Sequence, residues 1–311
     1  MYIINNRRWF FGIAAVLFFG SIALMVYPGV PFGIDFTGGT AIEVVYTGER
    51  PLQKAIEAAL APLTEVASIQ PAGEQSYLIR TKELTPEVKE SVLNALHINS
   101  APYTLERYNS TGPSIGSELQ RKSYVAIVLV ILCIVLFITF VFRKVSAPVP
   151  SWKYGVATIV ALAHDVVIPA GAFVLWTHYF AAGDIDLLFV TALLAILGYS
   201  VHDTIVVFDR VRENLRKNSE SRTVESYDVT VGKSITQTFG RSINTSLTIF
   251  LVLLALFIFG GEPTRNFSFL LMIGIIAGTY SSIFLASPLL VFFERRQQAK
   301  AHAAAQKSTI L

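Results

Sequence analysis

An aspartate stands inside an apolar run. Asp203 is preceded by LLFVTALLAIL and followed by TIVVF. Placed in hydrocarbon, a carboxylate is costly unless it is paired or hydrated, so it is a functional candidate by default. Burial favours the protonated form of such a group and a nearby cation favours the ionised form. A carboxylate held between these influences can load and release a proton or ion as its surroundings change. The other reading is a structural hydrogen-bond anchor. The partner of a coupling carboxylate should be basic and mobile. Arg241, in GRSINTSLT, is the best candidate, and Thr245 shares its helix face four residues on. Thr245 and Ser242 can also hydrogen-bond across a helix interface. The plainer reading of Arg241 is an orientation anchor at a helix end.

Three more polar residues accompany Asp203. His164 and Asp165 are adjacent in an apolar run and do not share one helix face. His164 can pair with a neighbouring span while Asp165 faces the span that carries Asp203, and structural interhelical bonds are the alternative. Pro169, four residues later, predicts a kink or loosened turn. His202 adjoins Asp203, but adjacent helix residues point apart, so it ranks with His164 and Asp165 as an accessory polar residue. Asp209 and Arg210 read as interfacial. Asp203 lies six residues before Asp209, roughly 9 Å deeper along a helix.

Other chemistries find no support. The single cysteine excludes a disulfide framework and a Cys-based zinc site. Cys133 lies in an apolar run and reads as a small hydrophobe. GIDFTGG (33–39) is glycine-rich but lacks the GxxxxGK[ST] phosphate loop. It is either a tight turn into a first strand or a hinge. The hinge reading takes Gly33, Gly38 and Gly39 at one junction and Gly112 and Gly116 at the other. Residues 28–120 show no nucleophile–base pair, and His97 reads as part of a helix end. No enzymatic activity, metal or organic cofactor is expected.

The positioning elements follow from composition. The chain has 311 residues, 53% hydrophobic and only 15% charged, against about a quarter charged in soluble domains. Six runs approach the about 20 apolar residues a spanning helix needs. They lie near Trp9–Tyr27, Tyr124–Phe142, Tyr154–Trp176, Ile185–Phe208, Ile243–Gly260 and Phe267–Phe293. The N-terminal run follows Arg7 and Arg8 like a signal peptide, but it continues without a clear cleavage site and is expected to be retained. Residues 28–120 carry 6 basic and 11 acidic residues, and the rest carries 19 and 11. The basic residues cluster at Arg7–Arg8, at Arg143, Lys144 and Lys153, across 210–233 and at 295–307. These fall on one side of a six-span topology, which predicts cytoplasmic termini and an external 28–120 segment. The basic residues sit at the ends of apolar runs, so nucleic acid is not an expected partner.

Within 28–120, AIEVVY (41–46), VASIQ (66–70), SYLIRT (76–81) and YTLERYNS (103–110) read as strands. Helical spacing of Leu52, Ala55, Ile56, Ala59 and Leu60, and of Val88, Val92 and Leu96, marks two helices. Thr85 and Pro86 suit the start of the second. The order β-α-β-β-α-β is the ferredoxin-like pattern. The fold class is therefore a polytopic α-helical membrane protein with a small α+β external domain between spans one and two. The expected organisation is 1–27 as N-terminus and first span, then 28–120 as a periplasmic domain. Residues 121–294 then form spans two to six, with a cytoplasmic connection at 210–241, and 295–311 form a cytoplasmic tail. The connection reads as an interfacial helix. Gly274-Ile-Ile-Ala-Gly278 is a close-packing signal, extended by Thr279, Ser281 and Ser282.

LAILGYSVHDTIVVFDRVREN (194–214) and FGRSINTSLT (239–248) resemble the SecF family, the smaller membrane subunits of the bacterial SecDF protein-export complex. GIDFTGGT, the ALAHD run and FSFLLMIGIIAGTYSSIFLASPL (267–289) match the same family, and the likeness covers nearly the whole chain. It implies one half of a resistance–nodulation–division architecture. It also implies a role in late preprotein export that draws on the proton-motive force. By resemblance, Asp203, Arg241 and Thr245 are the proton-relay residues, and a second carboxylate comes from a SecD-like subunit. His202 stands where many relatives carry Asn. The implied coupling ion is H⁺, with Na⁺ as the alternative. The implied partners are the SecD-like subunit, the SecYEG channel, an unfolded preprotein, a YajC-like small membrane protein and a YidC-type insertase. The rival reading is a half-size exporter of a lipid or small molecule.

Overall fold

The structure, a computed structural model, describes residues 1–27, 29–98, 101–143, 149–180, 183–222 and 225–310. Pro28, Lys144 and the side chain of Lys307, used in the sequence reading, lie outside the description. Among the described residues six helices are long and apolar enough to cross a membrane, as the six runs require. After a short α1 (Tyr2–Asn5), the first span is α2 (Arg7–Val26). Separated from it by a small α+β domain come α6 (Pro113–Val141), α7 (Ser151–Tyr179), α8 (Leu187–Glu220) and α9 (Tyr227–Phe259). The last span is α10 (Glu262–Tyr280), a widened π turn at Ser281–Ala286, and α11 (Ser287–Ile310).

The chain forms two compact units. The first holds residues 1–27, 127–173 and 191–311. In it α7, α8 and the last span are the inner helices, more than half buried along their apolar stretches, while α2 and α9 keep mostly open apolar faces. Phe142, Tyr154 and Phe208 interlock at ring-centroid distances of 5.2–5.8 Å. Close helix approach depends on small residues. A Cβ on Gly274 would collide with Ile196, one on Gly278 would lie 3.1 Å from Ser200, and one on Gly171 would lie 2.5 Å from Ser21.

The connection expected at 210–241 is not a separate interfacial helix. The helix of span four runs on to Glu220, and that of span five already begins at Tyr227. The sequence supports this locally, through acid–base pairs three or four residues apart. Asp209–Arg212, Arg210–Glu213, Lys217–Glu213 and Arg216–Glu220 close at 2.6–3.1 Å. Asn214 then ties the two helices, donating to Ser234 at 2.8 Å and Gln237 at 2.9 Å. The last span likewise continues helically through the tail to Ile310.

The second unit holds residues 28–126 with 174–190. After the one-turn α3 (Ile34–Thr37) it runs β1 (Gly39–Tyr46), α4 (Gln53–Leu60), β2 (Val66–Ala72), β3 (Ser76–Thr81), α5 (Pro86–Ala95) and β4 (Tyr103–Thr111). The sheet order is β2-β3-β1-β4 with every pair antiparallel. Pro71 is tolerated because β2 is an edge strand. Alternation sends Ile42, Val44, Tyr46, Tyr77 and Ile79 into a core with Ile56, Leu60, Val92 and Leu96 of the helices.

The opposite sheet face carries charge. Glu43 pairs with Arg107 at 3.3 Å. Arg80 donates to Ser68 at 2.8 Å and Gln70 at 3.1 Å and forms an ion pair with Asp184, from the segment before α8. That segment is stitched to the stretch before α3. Gly33 N–H donates to the Ile185 carbonyl at 2.9 Å, Ile185 N–H to Pro31 at 2.8 Å, and Leu187 N–H to the Asp35 carboxylate at 3.1 Å. Burial pushes the Asp184 carboxyl up to about 6, against the pull of Arg80. Burial also raises Asp186 and lowers Arg80, in the latter case despite Asp184.

The glycine-rich segment is a tight turn into β1. Gly38 (φ 74°) and Gly39 (φ 120°) use left-handed backbone. They also admit close neighbours. A Cβ on Gly38 would lie 2.7 Å from Pro113 Cα, one on Gly39 2.5 Å from the Thr81 carbonyl, and one on Gly116 2.9 Å from Gly38 N. A Cβ on Gly33 would lie 3.0 Å from the Asp184 side chain, whereas one on Gly112 would meet nothing nearer than Glu83 at 3.7 Å.

Candidate functional site

Four elements, the three inner helices and α9, bring polar side chains to one region of the first unit. On α8, Ser200 and Asp203 are three residues apart and lie on one buried face. From α7 comes Asp165, fully buried, and from α9 comes Ser242. The π turn supplies Ser281 and Ser282.

Asp203 is 5% exposed. Ser242 donates to its Oδ1 at 2.5 Å, and Ser282 donates to its Oδ2. Asp165 Oδ2 accepts from Ser281 at 2.6 Å and also from Ser200. Its Oδ1 lies 2.8 Å from His164 Nδ1. Two carboxylates are thus surrounded by hydroxyls, the arrangement that offsets the cost of burying such a group. A shell of hydroxyls extends from the site. Tyr199 OH meets Ser246 at 2.6 Å, and Ser246 meets Thr279 at 2.5 Å.

The π turn has a local cause. Pro288 has no N–H to give its helix, and its ring crowds the carbonyl four residues earlier. The turn just before it is widened, and Ser287 Oγ bonds the Ser282 carbonyl at 2.9 Å. Such turns are frequent at functional positions. Pro169 on α7 also lacks an N–H, and the carbonyl four residues before it is that of Asp165. The helix nevertheless continues through Pro169.

The structure distributes the expected site residues unequally. Asp203 is at the centre. Arg241 and Thr245 lie together, but on the exposed face of α9, with the Thr245 hydroxyl donating to the Arg241 carbonyl at 2.9 Å. Ser242 and Ser246 occupy the buried face, and among the described residues Arg241 makes no ion pair with Asp203. His202 is exposed and turned from the network. His164 does not pair away from Asp165 as its helix position suggests. Its ring folds back to its neighbour and stacks on Tyr280 at 5.8 Å. Sequence reasoning missed Ser200 and the division of labour between Ser281 and Ser282. The available signals were the three-residue spacing of Ser200 and Asp203 and a serine pair inside an apolar span. Among the described residues no group of three His, Cys, Asp or Glu side chains could hold a metal ion.

Fold and site together define a polytopic membrane protein with an ionisable core and one small α+β domain between its first two spans. Residues 92–296 match the family model described as protein export membrane protein SecD/SecF, C-terminal, and residues 25–48 match the SecD/SecF GG motif. The chain is 41% identical over 292 residues to the protein translocase subunit SecF of Thermobaculum terrenum, covering 89% of this chain and 88% of that protein. It is 35% identical over 293 residues to SecF of Pseudomonas aeruginosa, covering 91% and 90%. A crystal structure of SecDF from Thermus thermophilus, described as a translocon-associated membrane protein, superposes with a TM-score of 0.82 at 30% identity. That match covers 95% of this chain, which spans only 39% of the solved SecDF chain. A second structure, of SecDF in a super-membrane-facing form, gives a TM-score of 0.68 over 97% of this chain and 40% of that one. The chain belongs to the SecF family of protein translocase subunits.

Proposed function

We propose that this chain is the SecF-type accessory subunit of a Sec preprotein translocase, assisting late export and release of unfolded polypeptide by drawing on the proton-motive force. The observation that carries the coupling is Asp203, buried where α8, α9 and the π turn meet and held by two serine hydroxyls. Arg241 and Thr245, on the open face of α9, complete the relay when that face is covered. The arrangement supports a state in which Arg241 is withdrawn and Asp203 is held by Ser242 and Ser282 alone. A state with Arg241 near Asp203 favours the ionised carboxylate. Coupling requires two such states with different interactions. H⁺ is the coupling ion and Na⁺ the alternative.

The open apolar faces of α2 and α9 and the match to only 39% of the SecDF chain support a SecD-like partner. The SecYEG channel, a YajC-like protein and a YidC-type insertase are the wider assembly. The chain sits in the bacterial inner membrane with both termini cytoplasmic and the α+β domain periplasmic. The strand order β2-β3-β1-β4 supports calling that domain ferredoxin-like. Gly33, Gly38, Gly39, Gly112 and Gly116 form the joint about which it moves during export. Export of a preprotein into inverted vesicles, with and without a proton gradient, tests the reading. Gradient stimulation that survives Asp203→Asn would defeat it.

A further inference from the structure

Asp165 is the more deeply buried of the two carboxylates, at 0% exposure, and none of the relay roles above uses it. Its oxygens are fully engaged. Oδ2 accepts from Ser200 and Ser281, and Oδ1 faces His164 Nδ1 at 2.8 Å. Two hydroxyls donating to one oxygen leave the proton of this site on the Oδ1–Nδ1 line. There it is carried either by the carboxyl or by the imidazole. His164 Nε2 is buried and has no hydrogen-bond partner among the described residues, so one ring nitrogen is left unpaired beside the pair. His164 also lines a groove of about 370 Å³ with Phe11, Ala14, Phe18, Val160 and Leu285.

The link to Asp203 runs through the π turn. Ser281 donates to Asp165 and its neighbour Ser282 to Asp203. Each of these hydroxyls also lies 3.1 Å from a helix carbonyl three residues back, Ser281 from Gly278 and Ser282 from Thr279. Each serine therefore has two acceptors, a carboxylate and its own helix. An ionised carboxylate holds the hydroxyl more strongly than a neutral one, so protonation frees the serine to turn back to its helix. Because the serines are adjacent on a turn already widened before Pro288, a change at one alters the other. Ser200 and Asp203 provide a second link along one face of α8. The titratable groups around Asp165 are His164 on its own helix, Tyr280 on the last span, stacked on His164, and Asp203 on α8.

We propose that Asp165, with His164, is a second proton-binding station within this chain, coupled to Asp203 through the adjacent hydroxyls of Ser281 and Ser282. A proton arriving at His164 Nε2 releases the Nδ1 proton to Asp165 Oδ1. The imidazole stays neutral in its other tautomer and the carboxylate becomes a carboxylic acid. Ser281 then turns to the Gly278 carbonyl, and the turn resets Ser282 at Asp203. The inference rests on the reading of Asp203 as the coupling carboxylate.

The test uses the full chain in its partner complex, reconstituted in vesicles. The readout is the infrared C=O stretch of protonated carboxyls followed against pH, beside gradient-dependent export. Asp165→Asn is expected to remove one of two titrating bands, to move the midpoint of the other by about one pH unit, tenfold in proton affinity, and to lose gradient stimulation. His164→Gln keeps a donor toward Oδ1 but does not titrate, and it should move the Asp165 band by a similar amount. Ser281→Ala with Ser282→Ala should leave two bands whose coupling is reduced to what Ser200 on α8 still carries. If Asp165→Asn leaves the spectrum and the Asp203 midpoint unchanged, or if the midpoint ignores both His164→Gln and the serine pair, the proposal is overturned. If two coupled bands are seen but Asp203→Asn keeps full gradient stimulation, the failure belongs to the assigned role of Asp203 and not to the second station.

Discussion

Replacing Asp203 by Asn removes a charge and leaves shape. The carboxylate accepts from Ser242 and Ser282. An amide oxygen still accepts from one serine, and the amide nitrogen can donate to the other once its hydroxyl turns away. Ser282 has the Thr279 carbonyl at 3.1 Å as that alternative acceptor. Hydrogen bonds to charged groups contribute about 1.5–3 kcal/mol and neutral ones about 0.5–1.5. The exchange of two such bonds therefore costs about 2 kcal/mol, partly offset because a buried charge no longer needs support. The variant should fold and assemble. What it loses is the work of the proton, about 2.3 kcal/mol for each 100 mV of potential. That is about fiftyfold in a two-state equilibrium, at about 1.4 kcal/mol per decade. In inverted vesicles the parent complex should show gradient-stimulated preprotein export. Asp203→Asn should show the gradient-free rate at every gradient, with normal amounts of assembled complex. Arg241→Met should behave alike if the arginine approaches Asp203 in the second state. Equal stimulation of parent and Asp203→Asn would refute the reasoning, because a purely structural Asp203 predicts that result.

Three further outcomes can be measured. In a Cys133→Ser background, a cysteine at Ser76 should react with an impermeant label from outside intact cells and one at Ser219 should not, and the reverse pattern would overturn the orientation. Gly38→Ala places a Cβ 2.7 Å from Pro113 Cα at φ 74° and ψ 168°, a positive-φ, extended-ψ backbone kept for glycine that alone costs about 1–3 kcal/mol. Urea unfolding of the detergent-solubilised chain should show at least that loss, with Gly112→Ala near neutral, and equal midpoints would remove the packed joint. The last outcome concerns Asp184, which holds its proton up to about 6 when folded and so binds it more tightly than in the unfolded chain. Its contribution is full below about pH 4 and is lost as pH rises through about 6, a span worth about 3 kcal/mol. Amide protection in β3 should therefore fall over that window in the parent and not in Asp184→Asn, and parallel curves would sink the assignment.

Much was legible locally. Spans follow from the length of apolar runs, because a bilayer demands about 20 such residues whatever their neighbours. The succession of strands and helices between Gly39 and Thr111 follows from alternation, helical spacing and the Thr85–Pro86 start. The ionisable residues within apolar runs marked Asp203, His164 and Asp165 without any packing information. Even the extension of α8 to Glu220 is written in its three- and four-residue acid–base spacing, although a basic, polar stretch reads more readily as a connection.

Partner choice was not legible, because it depends on which faces meet. Residue adjacency suggested that His164 and Asp165 diverge, yet side-chain torsion folds the imidazole back to its neighbour. Arg241 and Ser242 are consecutive, and the rotation of α9 alone decides that the serine faces Asp203 and the arginine does not. Ser281 and Ser282 look equivalent in sequence, but the π turn hands one to each carboxylate. Arg80 meets Asp184 only because the strand β3 and the segment before α8 are brought together by folding. Apolar length and periodicity are properties of a segment, so the chain alone determined its spans and strands. A hydrogen bond across helices is a property of two packed surfaces, so only the tertiary structure decided how the buried charges are held.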